Sequence, residues 1–419
     1  MRGALSGLTT RGRCLLAAGL AAALCSVVLN ERDLLRVSVF VVALPILVSF
    51  LTAVARVGLQ AERRINPIRV PVGGQAEVAL HIRSLGRLPT GGLLVQDGVP
   101  YALGGKPRFV IERLPRHTGT QLRYTVHPML RGIQQLGPLK ATITDPFGLA
   151  EFERELAHIS RLIVVPRVAR LSGLPGGSGL GSGDDGSVRL NAGQGEDDAI
   201  VRPYRQGDDL RKVHWRSTAK RDEMMVRVEE RPWRGGTSIL LDHRIIAHRG
   251  TGAASSLEWA VSMAASVCLH LHRHGHRIRL VTESGHLLVG DEGDGTHHDN
   301  VVLDALAALQ PVTQRELDVR ADPAHGQELI AIIGAAGPES LGQLIRHRNR
   351  SSRSLAVLLD VATWGNGDAS PPDQLGSMTL LRGAGWGVTL AQPEVPMSRV
   401  WANLCRTGLK RDDSMILGA

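Results

Sequence analysis

Two apolar runs open the chain, residues 14–29 and residues 37–55, and only a short polar stretch, NERDLLR, parts them. The second run carries no charge at all, and each is close to the length that a helix needs to cross a bilayer core. Pro45 inside the second run is compatible with a membrane helix, where neighbouring groups satisfy the freed backbone carbonyl. Past residue 60 the pattern changes to short alternating strands, read at 76–82, 92–97, 108–112 and 121–126, with turn signals such as Gly73-Gly74 and Gly104-Gly105 between them. Period-two runs at this spacing over about a hundred residues predict a small β-sandwich. Beyond residue 236 the pattern changes again. Short continuous apolar strands at 237–242, 277–282, 328–333, 354–360 and 386–391 alternate with helical periodicity at 255–274 and 300–309. That alternation predicts a mostly parallel sheet with helices on both faces.

The expected fold is thus multi-domain: two N-terminal transmembrane helices, a small β-sandwich and a C-terminal α/β domain. The boundaries are 1–60 for the transmembrane hairpin, 61–170 for the sandwich-like domain and 171–199 for a Gly/Ser-rich linker. A charge-dense core motif follows at 200–235, and the α/β domain at 236–419. The linker contains Gly-x-Gly spacings, but no strand and helix frame them, so they are no evidence of nucleotide binding.

Charge places the domains relative to the membrane. Arg2, Arg11 and Arg13 precede the first run and Arg56, Arg63 and Arg64 follow the second, while Glu31, Arg32, Asp33 and Arg36 between them sum to zero. The positive-inside rule then predicts a cell-membrane protein with two spans and the bulk of the chain cytoplasmic. A secretory signal peptide is the rival reading of the first run. The second span, following at once, favours the hairpin. The four cysteines are Cys14, Cys25, Cys268 and Cys405, and their spacing builds neither a disulfide framework nor a zinc site.

Three features invite chemistry. Asp145 in TDPFGL has the ingredients of a turn-capping aspartate ahead of Pro146. His243, His248, His270, His272, His274 and His276 cluster in sequence, with His270 and His274 four apart on one helix, but no third ligand follows a metalloprotease pattern. Asp242 ends the first strand of the α/β domain, where ligands bind in such sheets. This part resembles a von Willebrand factor A domain, whose hallmark is an Asp followed two and four positions on by Ser, gripping a divalent cation. Here those positions hold Arg244 and Ile246, which supply no oxygen, and Arg244 would repel the cation. The expectation is a degenerate A-type domain with no metal and no cofactor.

The densest stretch is residues 201–233, VRPYRQGDDLRKVHWRSTAKRDEMMVRVEERPW. Charged, aromatic and turn residues interleave too closely for one stripe of a surface helix. Gly207 supplies a turn, Asp208 and Asp209 are placed to accept from Arg202, Arg205 or Arg211, and Trp215 reads as a core anchor. Arg216, Lys220 and Arg221 form a basic rim. The stretch resembles the core of the bacterial domain-of-unknown-function family fifty-eight, through Arg202, Tyr204, Gly207 and Asp208, then Trp215 near Ala219 and Lys220, and the acidic pair Glu229-Glu230. His214 departs from the family pattern. The resemblance implies a membrane-tethered protein that works with a MoxR-type AAA+ ATPase, with a transglutaminase-like membrane protein as a second candidate partner, and it brings no catalytic activity.

The candidate site is therefore Arg202, Tyr204, Gly207, Asp208, Asp209, Arg211, His214, Trp215, Arg216, Lys220, Arg221, Glu229 and Glu230, as a structural ion-pair network or a docking surface for an acidic partner. A hydrolase using Asp208, Asp209 and His214 is the alternative, without a nucleophile motif to support it. The net charge of +9 would suit nucleic acid, but with aromatics at 3% the Arg-rich segments lack interleaved stacking rings. The expected protein is an adaptor, not an enzyme and not a nucleic-acid binder.

Overall fold

The computed structural model describes residues 7–54, 58–85, 92–112, 114–115, 118–145, 147–175, 201–203, 225–227, 236–290, 296–319, 322–325, 327–348, 352–365 and 374–409. The chain divides into two units: Met1–Pro166 with Leu306–Leu309, and Arg167–Ala305 with Gln310–Ala419.

The first unit begins with helices α1 (Thr10–Leu29) and α2 (Arg32–Val54), both long and apolar enough to cross a membrane. Thr9 caps α1 by accepting from the Gly12 N–H. At the other end Asn30 takes a left-handed conformation, φ 57°, and its N–H returns to the Ser26 and Val27 carbonyls. Asn is one of the few side chains that tolerates that backbone, and it turns the chain back into α2. Gly12, Gly19 and Ser26, seven apart, are the buried positions of α1.

Gly19 packs against the second helix: a Cβ there would lie 2.7 Å from Val42 Cγ2 and 3.1 Å from the Val42 nitrogen. Backbone cannot yield as a side-chain tip can. Gly19→Leu is expected to weaken the hairpin by about 1–3 kcal/mol, seen as a lower thermal midpoint of the full chain in detergent. An unchanged midpoint would mean that the helices slide apart at no cost.

Ten strands follow: β1 (Leu59–Asn66), β2 (Arg69–Pro71), β3 (Ala76–Ser84), β4 (Leu93–Asp97), β5 (Arg108–Ile111), β6 (Gly119–Val126), β7 (Gly132–Leu136), β8 (Leu139–Thr144), β9 (Glu151–Ala157) and β10 (Ser160–Val165). They form antiparallel sheets β1-β3-β6 and β5-β4-β8-β9, and a smaller sheet β2-β10-β7 in which only the β2–β10 pair is parallel. Alternation decides the buried face. Val78, Leu80 and Ile82 of β3, Leu93 and Val95 of β4, Leu139 and Ala141 of β8 and Leu162 and Val164 of β10 share one core. Asp145 closes the turn after β8: its carboxylate accepts from the Phe147 and Ala150 N–H groups, as its place before a proline predicted.

Strand β1 also carries a charge on its inward face. Leu59, Ala61, Arg63 and Ile65 alternate inward, and Arg63 meets Asp97, the inward end of β4, with both side chains buried. Arg63 donates through Nε and Nη2 to the two carboxylate oxygens, and through Nη1 to the Leu136 and His158 carbonyls and Ser160 Oγ. Tyr124 donates its hydroxyl to Asp97 at 2.6 Å. Arg63 was one of the charges counted for orientation; its charge is cancelled where it sits and leaves that count.

The second unit contains the two-stranded ribbon β11 (Val201–Pro203) and β12 (Met225–Arg227), then β13 (Gly236–Leu241), α3 (Ser256–Arg273), β14 (Arg277–Thr282), β15 (Leu287–Val289), α4 (Thr296–Ala308) up to Ala305, β16 (Glu328–Ile333), α5 (Pro338–His347), β17 (Ser354–Leu359), α6 (Gln374–Gly383), β18 (Gly387–Ala391) and α7 (Met397–Leu409). The six-stranded sheet runs β15-β14-β13-β16-β17-β18, parallel except for the β15 edge. Strands buried on both faces read as continuous apolar runs; β13, GTSILL, is buried throughout. Helices α5 and α6 cover one face through Leu341, Leu344 and Leu381. Helix α3 starts at an N-cap, with Ser255 accepting from the Glu258 N–H.

Of the expected linker, residues 171–175 are described, with Ser172 and Gly173 exposed. Residues 167–175 belong to this unit, and the Gly173 carbonyl accepts from Trp401 Nε1 and lies 2.8 Å from His270 Nε2.

Candidate functional site

Of the core motif, residues 201–203 and 225–227 are described. β11 and β12 pair antiparallel, Val201 opposite Arg227 and Pro203 opposite Met225. Arg202 has its backbone in β11. Tyr204, Gly207, Asp208, Asp209, Arg211, His214, Trp215, Arg216, Lys220, Arg221, Glu229 and Glu230 lie outside the described residues.

A second constellation, not placed in the expected site, sits at the carboxyl edge of the sheet. β13 ends at Asp242, which is fully buried, and two residues on the equally buried Arg244 folds back over it. Arg244 donates through Nε to Asp242 Oδ1 at 2.9 Å and through Nη2 to Oδ2 at 2.8 Å, a bidentate fork that matches the carboxylate geometry. The remaining donors tie separate segments: Nη1 to the Arg315 carbonyl, and Nη2 also to the Ala335 carbonyl. Backbone N–H groups of Arg244 and Gly334 complete the carboxylate shell. Arg244 therefore does more than repel a cation. Its guanidinium occupies the coordination positions of the Asp242 carboxylate and supplies the positive charge itself. Gly334 is needed here, since a Cβ would collide with the Ala247 carbonyl oxygen.

The neighbouring histidines are also engaged. His243 Nδ1 is 2.6 Å from Glu283 Oε2, both groups buried just past the ends of β13 and β14. His248 bridges inward: its Nε2 is 2.9 Å from the Asp242 carbonyl, which can only accept, so Nε2 carries the proton and Nδ1 faces Ser256 Oγ at 3.0 Å. His272 meets Asp299 at 2.8 Å, and His274 lies 2.7 Å from the His270 carbonyl. Among the described residues no three His, Cys, Asp or Glu side chains converge on a point that could hold a metal ion.

Burial sets the pH response. It pushes His248 below its ordinary value of 6.5, with the Asp242 charge opposing, and desolvation lowers His270 and His276 likewise. Such a histidine takes its proton first in the unfolded chain. The stability it lends is therefore present above pH 6.5 and lost as pH falls through that value toward the folded pKa. Glu328, raised by burial above 4.5, acts in the opposite sense: its contribution is present at low pH and lost as pH rises through its folded pKa. The expected result is a denaturation midpoint that falls between pH 7 and pH 5.5, with a shallower fall for His248→Asn. A flat profile over that window would contradict this assignment.

At the point where the sheet order reverses, between β13 and β16, a crevice of about 450 Å³ opens beside Arg244. Ligands of doubly wound sheets bind at that position. Its lining includes Ile246, Arg249, Arg315, Glu316, Ser340 and Glu339.

Residues 200–333 match the family model described as Protein of unknown function DUF58. The match starts at the core motif and ends with the last residue of β16, so the motif and the strands β13 to β16 fall within it. No curated protein matches the chain. Similar solved structures include the CARDB domain of a Pyrococcus furiosus protein in complex with di-metal ions, at 19% identity over 26% of this chain and 91% of that chain, TM-score 0.20. Another is a cohesin module from a Clostridium perfringens family 33 glycoside hydrolase, at 15% identity over 26% of this chain and 97% of that chain, TM-score 0.21.

Proposed function

Proceeding from that family match, we propose that the chain is a membrane-anchored interaction protein whose α/β unit lies in the cytoplasm and works with a MoxR-type AAA+ ATPase. The observation that carries the binding reading is the closed Asp242–Arg244 pair. At the edge where a doubly wound sheet presents its chemistry, both charged groups are consumed by each other and by backbone. That leaves a shaped, rigid surface rather than an open acid, base or metal centre. The strand order supports the resemblance to an A-type domain that has kept its scaffold and exchanged its cation for an internal guanidinium. Helices of 20 and 23 residues supply the anchor.

The test is affinity purification of the full chain from its own membranes with and without ATP, beside Trp215→Ala and Asp208→Ala variants. An AAA+ ATPase should be enriched by the native chain about tenfold or more over both variants, the ratio of one well-formed contact. Equal recovery from all three would remove the adaptor reading. A transglutaminase-like membrane protein in the same eluate would extend the assembly. A green fluorescent protein fused at the C-terminus should fluoresce if the α/β unit is cytoplasmic, and a dark fusion of normal abundance would reverse the orientation.

A further inference from the structure

The crevice at the sheet reversal carries charges that no group among the described residues pairs. The Asp242–Arg244 pair at its floor is neutral as a unit. Around it stand Arg249, Arg315, Glu316 and Glu339. Arg249 donates Nη1 only to the Ile246 and His248 carbonyls. Among the described residues no carboxylate pairs with either arginine, and the side chains of Arg315, Glu316 and Glu339 have no hydrogen-bond or ion-pair partner. Four charges, two of each sign, thus face one crevice without meeting each other. Beside them the turn at 245–247 holds Ile246 in the lining at 47% exposure and Ile245 at 56%. The turn is rigid, because Ile245 N–H donates to the Val312 carbonyl and the Ala247 carbonyl accepts from Ala335 N–H.

We propose that this crevice is a docking site for a protein segment that presents an acidic and a basic side chain on either side of an apolar one. Charge complementarity selects that occupant. A polyanion such as nucleic acid would meet Glu316 and Glu339, and a polycation would meet Arg249 and Arg315. Only a ligand of both signs pairs all four groups, and like-charge juxtaposition rejects the others. Arginine, planar and weakly hydrated, suits such a contact better than lysine would. The apolar residue would rest on Ile246. This deepens the adaptor reading, on which it rests for the existence of a protein partner, by placing the contact on the sheet edge and stating the partner's chemistry.

The experiment is photo-cross-linking of the full chain in its own membranes, with p-benzoylphenylalanine replacing Ile246, and Val110 on the sandwich as the control position. Capture of a protein at Ile246 alone decides nothing. The proposal requires that adduct yield fall about tenfold in both Arg315→Glu and Glu339→Lys, reversals of opposite sign. Both residues are exposed, so folding should be unaffected, and circular dichroism checks it. A yield that falls for Arg315→Glu but rises for Glu339→Lys identifies an anionic ligand and overturns the proposal, with heparin competition as confirmation. The opposite pair of changes identifies a cationic ligand and also overturns it. No adduct at Ile246, or one indifferent to both reversals, overturns it equally. If the ATPase co-purifies with both reversal variants as with the native chain, the crevice is not the contact while the adaptor reading stands. A charge-dependent adduct without any ATPase enrichment would have the converse meaning.

Discussion

Arg244→Met is expected to lower the stability of the α/β unit by about 3–5 kcal/mol, the cost of leaving a buried carboxylate without its counter-charge. Three donors of the Arg244 guanidinium, Nε, Nη1 and Nη2, serve Asp242 and the Arg315 and Ala335 carbonyls. After the substitution the fully buried Asp242 carboxylate keeps the N–H groups of residues 244 and 334, too few for an ion held away from solvent. The double variant Asp242→Leu with Arg244→Met should recover most of the loss, because an apolar pair of similar volume has no unpaired charge to bury. Denaturant unfolding of the full chain in detergent, followed by hydrogen exchange on β13 and β16, measures both. A loss under about 1 kcal/mol for the single variant would place the pair with solvent-screened surface bridges and remove the argument that the edge is closed.

Asp97→Ala should have an effect of similar size on the other unit, again about 3–5 kcal/mol. Arg63 would then stay buried with only two carbonyls and the Ser160 hydroxyl as partners. Tyr124→Phe removes one neutral donor to the same carboxylate, and about 1–2 kcal/mol is expected for it. Burial, then the hydrogen bond to Asp97 and the Asp97 charge, push the Tyr124 hydroxyl far above its usual value, so it donates throughout the accessible pH range. Spectrophotometric titration should show a phenol that stays un-ionised at high pH and is missing from Tyr124→Phe. A larger loss for Tyr124→Phe than for Asp97→Ala would mean that packing of the ring, not the ion pair, holds β1 to β4.

How far the sequence could be read depended on the range of the interaction. Both long apolar runs and the strands at 76–82, 237–242 and 328–333 were legible, since each rests on periodicity within a few residues. Helix α7 was not read, yet Val400 and Leu404, with Trp401 and Cys405, are buried at i,i+4 spacing, so the signal was present. Helix α5 begins with Pro338 at its first turn and buries Leu341 and Leu344, equally local marks. Helix α6 was harder, with glycines inside QLGSMTLLRG. Alternation in β1 put Arg63 on the apolar face, and alternation in β4 put Asp97 there. Neither strand alone says that the two charges meet.

The sequence by itself determined that two apolar helices precede a β-rich region and a parallel α/β sheet, because hydrophobic period is a local property that burial enforces on each segment separately. It also marked Asp242 and the unsuitability of Arg244 as a ligand. What only the tertiary structure decided is where that arginine goes. The Asp242–Arg244 fork depends on Arg315, Gly334 and Ala335 arriving from about 70 to 90 residues away, and the Arg63–Asp97 pair spans 34 residues. Charges pair across such separations only after the chain has closed its sheets and excluded water, which no reading of neighbouring residues can supply.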